Sequence, residues 1–250
     1  MQDKQSVYDK DGFFDLYQKL RSNPNSLNEI VEKPTMLGLV GGVSGKRILD
    51  LGCGCGEHLK LYLERGAAFV AGIDLSQAML QQAAKNLAEF RPHFLLEQAP
   101  MERLDQLNEG GFDLITSSFA FHYVQDFPAL LAKIYAKLKP NGQLVFSQEH
   151  PIVTCYQGGE RWEKDAQKRQ LAYRLNFYRD EGERQRNWFK QPFTTYHRTT
   201  ATIINNLISA GFHIEQMVEP MLADQPQWQD EFKDLQHRPV LLFVKARKNT

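Results

Sequence analysis

One short segment limits the possible folds more than any other. Asp50-Leu51-Gly52-Cys53-Gly54-Cys55-Gly56 stands at the end of an apolar run, Arg47–Leu51, and directly ahead of a helical stretch, Glu57–Arg65, with Gly66 as its stop. A buried strand, a glycine-rich turn and a helix in immediate succession begin a βαβ unit. The pattern then repeats. Phe69–Asp74 reads as a second strand, and Gln77–Phe90 as a helix that Ser76 can cap. Phe94–Glu97 and Phe112–Ser117 read as further strands. Phe127–Leu138 is helical, Lys139-Pro140-Asn141-Gly142 is a turn, and Gln143–Gln148 is a fifth strand. Strands alternating with helices predict right-handed crossovers and a mostly parallel sheet. With 250 residues and 42% hydrophobic content, the chain is long enough to bury such a sheet as one domain, 1–250.

The loop also carries chemistry. Glycines let backbone approach a ligand where a Cβ would clash. The following helix offers unpaired N–H groups and a positive dipole end. Asp74 falls at the tip of the second strand, where a carboxylate can take both hydroxyls of a ribose. A glycine loop alone marks a tight turn as readily as a site; loop, helix and strand-end acid in one unit are far more specific. Dinucleotide sites usually read G-x-G-x-x-G around a pyrophosphate, whereas this loop reads G-x-G-x-G behind Asp50. An acid there repels a diphosphate and favours an ammonium or sulfonium, so the arrangement suits a cationic nucleoside.

Charge and cysteine content narrow the class further. Thirty Lys and Arg balance thirty Asp and Glu, which argues against a partner with a long phosphate backbone. Three cysteines make no disulfide framework. Cys53 and Cys55 lack the spacing of a metal pair and read as small-residue filler, so no metal is expected. No apolar h-region opens the chain and no run is long enough to cross a bilayer, so the expected compartment is the cytoplasm, with no membrane partner.

After His150 the pattern changes. Residues 151–198 are rich in aromatic and charged side chains and read as an insertion, with a hairpin over Leu171–Phe189 turning at Asp180-Glu181-Gly182-Glu183. Its nine basic and six acidic residues between 160 and 190 are a mild surplus, which a solvated hairpin face explains; the alternative is attraction of an acidic metabolite. Helix returns at Thr200–Ala210, and His213–Val218 and Val240–Ala246 read as two closing strands. The first 45 residues are polar and helical. Phe13, Leu16, Tyr17 and Leu20 share one helical face there.

The chain resembles the class I S-adenosylmethionine-dependent methyltransferases, on four motifs in order: D-L-G-C-G-C-G, G-I-D-L-S, F-D-L-I-T-S-S-F-A-F-H-Y-V and L-K-P-N-G. The likeness covers residues 45–148 closely and is nearest the bacterial type acting on small molecules. It implies a Rossmann-like α/β fold with a seven-stranded, mostly parallel sheet and an antiparallel last strand. An N-terminal helical lid (1–45) and the hairpin-containing insertion (151–198) as substrate cover complete the expected arrangement.

The resemblance also implies a site. Gly52, Cys53 and Gly54 would line the methionine portion of S-adenosylmethionine, and Asp50 would sit near its ammonium. Asp74 would bind the ribose, and Leu75 would pack on the adenine. Met101 or Glu102 would meet the adenine amine, since Ala99 and Pro100 stand where the family usually has an acid or amide. Ser117, Ser118 and Phe119 would face the methionine chain and the sulfonium. Arg21 would pair with the methionine carboxylate from the lid, and Tyr17 would cover it; the alternative is a solvated Arg21 on a packing helix.

The implied reaction is direct in-line transfer of the methyl group to a small-molecule acceptor, with S-adenosylhomocysteine as product and no metal. If the acceptor is a hydroxyl or an ammonium, a base must take its proton. His122, His150 and the Tyr196-His197 pair are the candidates, each also readable as a packed histidine. Nucleic-acid acceptors are disfavoured. Ser117-Ser118-Phe119-Ala120 stands where base-nitrogen enzymes carry a Pro-Pro-aromatic motif, and the Pro-Cys of cytosine-carbon enzymes is absent. A non-catalytic S-adenosylmethionine-binding protein and a nicotinamide-dependent oxidoreductase remain as alternatives.

Overall fold

The computed structural model describes residues 7–9, 12–188, 190–221, 232 and 234–249. Phe189, residues 1–6, 10 and 11 of the expected lid, and the Phe13 side chain lie outside the described positions.

The N-terminal segment contributes α1 (Phe13–Arg21) and α2 (Lys33–Val40). Asn28–Glu32 leads into α2 as a π-helical turn in which the Lys33 amide donates to the Asn28 carbonyl. Pro34 has no N–H to continue the normal ladder there, and a widened turn follows. The alternating core then runs β1 (Arg47–Leu51), α3 (Glu57–Glu64), β2 (Phe69–Asp74), α4 (Gln77–Asn86), β3 (Phe94–Gln98), β4 (Phe112–Ser117), α5 (Phe127–Lys137) and β5 (Leu138–Glu149). The insertion holds α6 (Pro151–Thr154), β6 (Trp162–Lys164), β7 (Gln170–Tyr173), β8 (Gly182–Trp188) and β9 (Gln191–His197). The chain closes with α7 (Thr200–Ser209), β10 (Phe212–Val218), α8 (Asp234–His237) and β11 (Leu241–Lys248).

Seven strands form one sheet in the order β10-β11-β5-β4-β1-β2-β3. β1 to β5 pair in parallel, and β11 runs antiparallel between β5 and β10. This is the expected seven-stranded arrangement. Alternation along the strands sends side chains to two faces. Ile48, Leu114, Val145 and Phe243 pack with Met36, Leu59 and Leu80 from α2, α3 and α4. Leu49, Ile115, Leu144 and Val244 pack on the other face with Leu131 of α5 and Ile203 and Leu207 of α7. Strand order reverses between β1 and β4, so the crevice at their carboxyl ends is where a ligand meets loops from both sides.

Two expectations need correction. The insertion does not form a hairpin over Leu171–Phe189. It forms two, β6–β7 and β8–β9, and Gly182 begins β8 instead of turning the chain. The second hairpin pairs Trp188 with Gln191, and Lys190, just before Gln191, holds φ 62°. The turn at Lys139–Gly142 lies inside β5: Phe112 pairs with Leu138 and Leu114 with Gln143, which leaves residues 139–142 as a bulge.

Candidate active site

Two adjoining cavities, about 760 Å³ and about 420 Å³, open at the carboxyl ends of β1, β2, β4 and β5. Tyr8, Tyr17, Gly52, Gly54, Phe119 and Tyr123 line both. The glycine loop is the partition. Gly54 has φ 52°, and a Cβ built on it meets nothing within 4 Å; the space it would enter is the cavity. Gly52 differs, because its Cβ would stand 2.7 Å from that of Ala120. One glycine leaves room for a ligand and the other for packing.

Asp74, at the tip of β2, is held by the loop it faces. Its carboxylate accepts from the Gly54 amide at 2.8 Å and from the Ser76 amide at 2.8 Å. Burial pushes its pKa up to about 6 against those two donors, and Asp50 and Asp9 push the same way. Asp50 is 2% exposed and accepts from Thr116 Oγ1 at 2.7 Å. Burial raises its pKa too, and His58 and Thr116 pull it back.

The N-terminal segment closes the site from outside. Asp9 accepts from Ser76 Oγ at 2.5 Å and from the Ala78 amide at 3.1 Å, capping α4 from a distant part of the chain. The Tyr8 and Tyr123 hydroxyls are hydrogen-bonded. The Tyr8, Tyr17 and Trp188 rings meet edge to face, with centroids 5.0 to 6.2 Å apart. Leu16 and Leu20 are exposed, so α1 turns Tyr17 and Arg21 inward in place of the expected apolar stripe. Arg21 Nη2 donates to Glu57 at 2.7 Å, and its Nε is buried with no partner.

A second polar node lies beneath the loop. Glu32 is fully buried, and one of its oxygens accepts from both Ser118 Oγ and Ser147 Oγ at 2.6 Å. Ser147 in turn receives the Phe119 amide at 3.1 Å, and Phe119 holds φ 54°. A bulky residue with positive φ is strained. A buried carboxylate, acting through two serines, thus holds the turn after β4 in a conformation that puts Phe119 on both cavities.

Of the residues expected from sequence, Tyr17, Arg21, Asp50, Gly52, Cys53, Gly54, Phe119 and His122 line the larger cavity. Asp74, Leu75, Met101 and Glu102 line the smaller one. Three do not reach either. Ser117 is fully buried and donates to the Leu51 carbonyl at 2.8 Å, because strand alternation turns it inward; Ser118 takes the expected place. His150 caps α6, accepting from the Ile152 amide at 3.1 Å, and faces Glu219 at 2.8 Å. His197 is held between Thr154 Oγ1 and the Tyr178 carbonyl. Both histidines are engaged in hydrogen bonds away from the two cavities. Cys53 and Cys55 are free thiols that burial pushes up, and no cluster of three metal-ligating side chains occurs among the described residues.

The sequence reading missed Tyr8, Glu32, His58, Glu149 and Arg186. Only Glu149 carried a signal: it ends β5 as Asp74 ends β2, a carboxylate at the carboxyl end of a parallel strand.

Residues 48–142 match a family model described as a methyltransferase domain. An S-adenosylmethionine dependent methyltransferase of known structure from Mesorhizobium loti is 35% identical, covers 89% of this chain and all of its own, and superposes with a TM-score of 0.78. An uncharacterized protein of Haemophilus influenzae is 67% identical over 99% of both chains. The ubiquinone biosynthesis O-methyltransferase of Alkalilimnicola ehrlichii is 38% identical, over 43% of this chain and 43% of its own. This chain therefore spans less than half the length of that curated relative. With a glycine loop, a strand-end acid and the 3-2-1-4-5-7-6 type of strand order (numbering the sheet's strands alone), the protein belongs to the class I S-adenosylmethionine-dependent methyltransferases.

Proposed function

We propose that this methyltransferase acts on a small-molecule acceptor by direct in-line displacement, and that the two cavities divide the work. The observation carrying this reading is their junction. The nucleoside-sized space at Asp74 opens past Gly54 and Phe119 into a larger space with a different set of polar groups. Asp74 would take the ribose hydroxyls, Leu75 the adenine face, and Met101 or Glu102 the adenine amine. The Gly52–Gly54 backbone and Asp50 would hold the methionine end, and Arg21 its carboxylate. The open space at Gly54 and the unpartnered Nε of Arg21 fit that occupant.

When bound, S-adenosylmethionine supplies a methyl group made electrophilic by a sulfonium. The chain's own task is to align a nucleophile and exclude water, and alignment can supply about 7–11 kcal/mol in favourable cases. We assign the cover to the N-terminal segment and the insertion, on one domain working in the cytoplasm without nucleic acid. No helix among the described residues is long and apolar enough to cross a membrane. S-adenosylmethionine and S-adenosylhomocysteine should each raise the melting temperature, and NAD should not. Stabilisation by NAD alone would reject the cofactor assignment. Release of S-adenosylhomocysteine across a panel of small molecules then tests the acceptor class.

A further inference from the structure

The larger cavity also carries groups that the proposed cofactor binding does not use. Glu149 and Arg186 line it, from the end of β5 and from β8. Arg186 Nη1 donates to Glu149 Oε2, and the two side chains remain 21% and 22% exposed, respectively. Among the described residues, the second Glu149 oxygen and the second terminal nitrogen of Arg186 have no hydrogen-bond partner. The pair thus offers the cavity one acceptor and one donor side by side. Burial opposes ionisation of Glu149, and protonated His122, the Arg186 guanidinium with its hydrogen bond, and Arg161 favour it. Burial pushes His122 down to about 4, so at neutral pH His122 is uncharged and Arg186 and Arg161 are the cations left facing Glu149. Around this edge stand flat walls: Trp188 against Tyr17, and Phe193, whose ring lies 6.1 Å from that of Tyr123 and 5.8 Å from the Arg186 guanidinium carbon.

We propose that Glu149 and Arg186 are the acceptor-recognition edge, and that the acceptor is a planar, uncharged molecule presenting a nucleophilic N–H or O–H beside an oxygen acceptor. Glu149 receives the N–H or O–H and Arg186 donates to the neighbouring oxygen. An anionic acceptor group would face the Glu149 carboxylate and is disfavoured. In the transfer, the nucleophile's lone pair forms the bond to the methyl carbon as the carbon–sulfur bond breaks, and that bond's electrons stay on sulfur. The proton leaves the nucleophile for the Glu149 carboxylate and passes from there to solvent. Glu149 is then a catalytic residue in contact with substrate. His122, neutral and with a buried unpartnered Nδ1, flanks it.

This rests on the methyltransferase site proposed above, and the test separates the two. Calorimetry first establishes S-adenosylhomocysteine binding, whose failure would overturn the cofactor assignment instead. The complex is then titrated with carbostyril (a lactam with N–H beside C=O), catechol, N-methylcarbostyril and the anion quinaldate. Carbostyril or catechol should bind at least about tenfold tighter than the last two. Preference for carbostyril assigns a nitrogen nucleophile, and preference for catechol an oxygen. Glu149→Gln should lose about tenfold for the preferred probe and nothing for S-adenosylhomocysteine, and Arg186→Gln should behave likewise. The proposal is overturned if quinaldate or N-methylcarbostyril binds as well, or if none of the four binds. It is also overturned if both variants lower the melting temperature yet leave probe affinity unchanged, since the pair would then merely anchor the hairpin.

Discussion

The wall of the site built from residues 50–76 and the wall built around Tyr8, Tyr17, Arg21, Arg186 and Trp188 hold their groups by different means. In the first, the groups lining the cavities are backbone amides and short strand-end side chains. Asp50 pairs in register with Gly72 and Thr116, and Asp74 is tied at 2.8 Å to the loop opposite. The sheet ladder fixes them. In the second, the groups are long side chains that meet partners far away in the sequence: Arg21 with Glu57, Arg186 with Glu149, and Tyr8 and Tyr17 with Trp188. Rings and ion pairs fix them, at a cost in side-chain entropy that a ladder does not incur. One wall is thus fixed by local backbone pairing and the other by contacts distant in sequence, which fits the proposed division into a cofactor half and a cover.

The sharpest way to break this contrast is at Gly54. Gly54→Val places a branched side chain at φ 52° and in the cavity, so S-adenosylhomocysteine affinity should fall roughly a hundredfold, about 2.7 kcal/mol. Calorimetry that finds affinity retained would show that the loop backbone is not a binding wall.

Asp74 comes next. Asp74→Asn should weaken S-adenosylhomocysteine about thirtyfold, as expected for losing charge-assisted bonds to a diol. The pH profile adds a second test, because burial has raised this carboxyl to about 6. The diol needs an ionised acceptor, so affinity should hold above pH 6 and fall about tenfold per unit below it. Stability of the cofactor-free protein runs the other way. From about pH 4, the ordinary carboxylate value, to pH 6, the folded chain binds this proton more readily than the unfolded chain, so the contribution of Asp74 to stability declines as pH rises. An affinity profile with no inflection near 6, or one that persists in Asp74→Asn, would remove Asp74 from the ribose site.

The smallest effect belongs to the cover. Arg21→Ala should weaken S-adenosylhomocysteine about tenfold and leave adenosine unchanged, since adenosine has no carboxylate for a guanidinium to meet. Equal losses for both ligands would make α1 a packing helix and dissolve the division of labour.

How much of this could be read from residues alone follows the same line. The alternation of apolar runs and helices located β1, β2 and β4 to the residue, since a strand buried on both faces leaves an unbroken apolar signature. The βα turn with its glycines and Asp74 was legible because all of its parts lie within 25 residues of chain. The insertion was misread because Gly182 and its acidic neighbours resemble a turn, while the strand pair Trp188–Gln191 has Lys190 at positive φ beside it and no glycine to announce it. Ser117 and Ser118 could not be told apart without knowing where β4 ends and which face each takes.

The parallel strands, the glycine loop and the strand-end acid were legible in the residues alone, because local spacing is enough to build a βαβ unit and to bring its glycine loop and Asp74 to one end of the sheet. Tertiary structure alone decided that Glu32 reaches Ser118 and Ser147 across 86 and 115 residues, that Arg186 meets Glu149, and that His150 and His197 turn away from the site. Those outcomes depend on which buried polar groups find partners once the layers pack, and no periodicity in the chain records that choice.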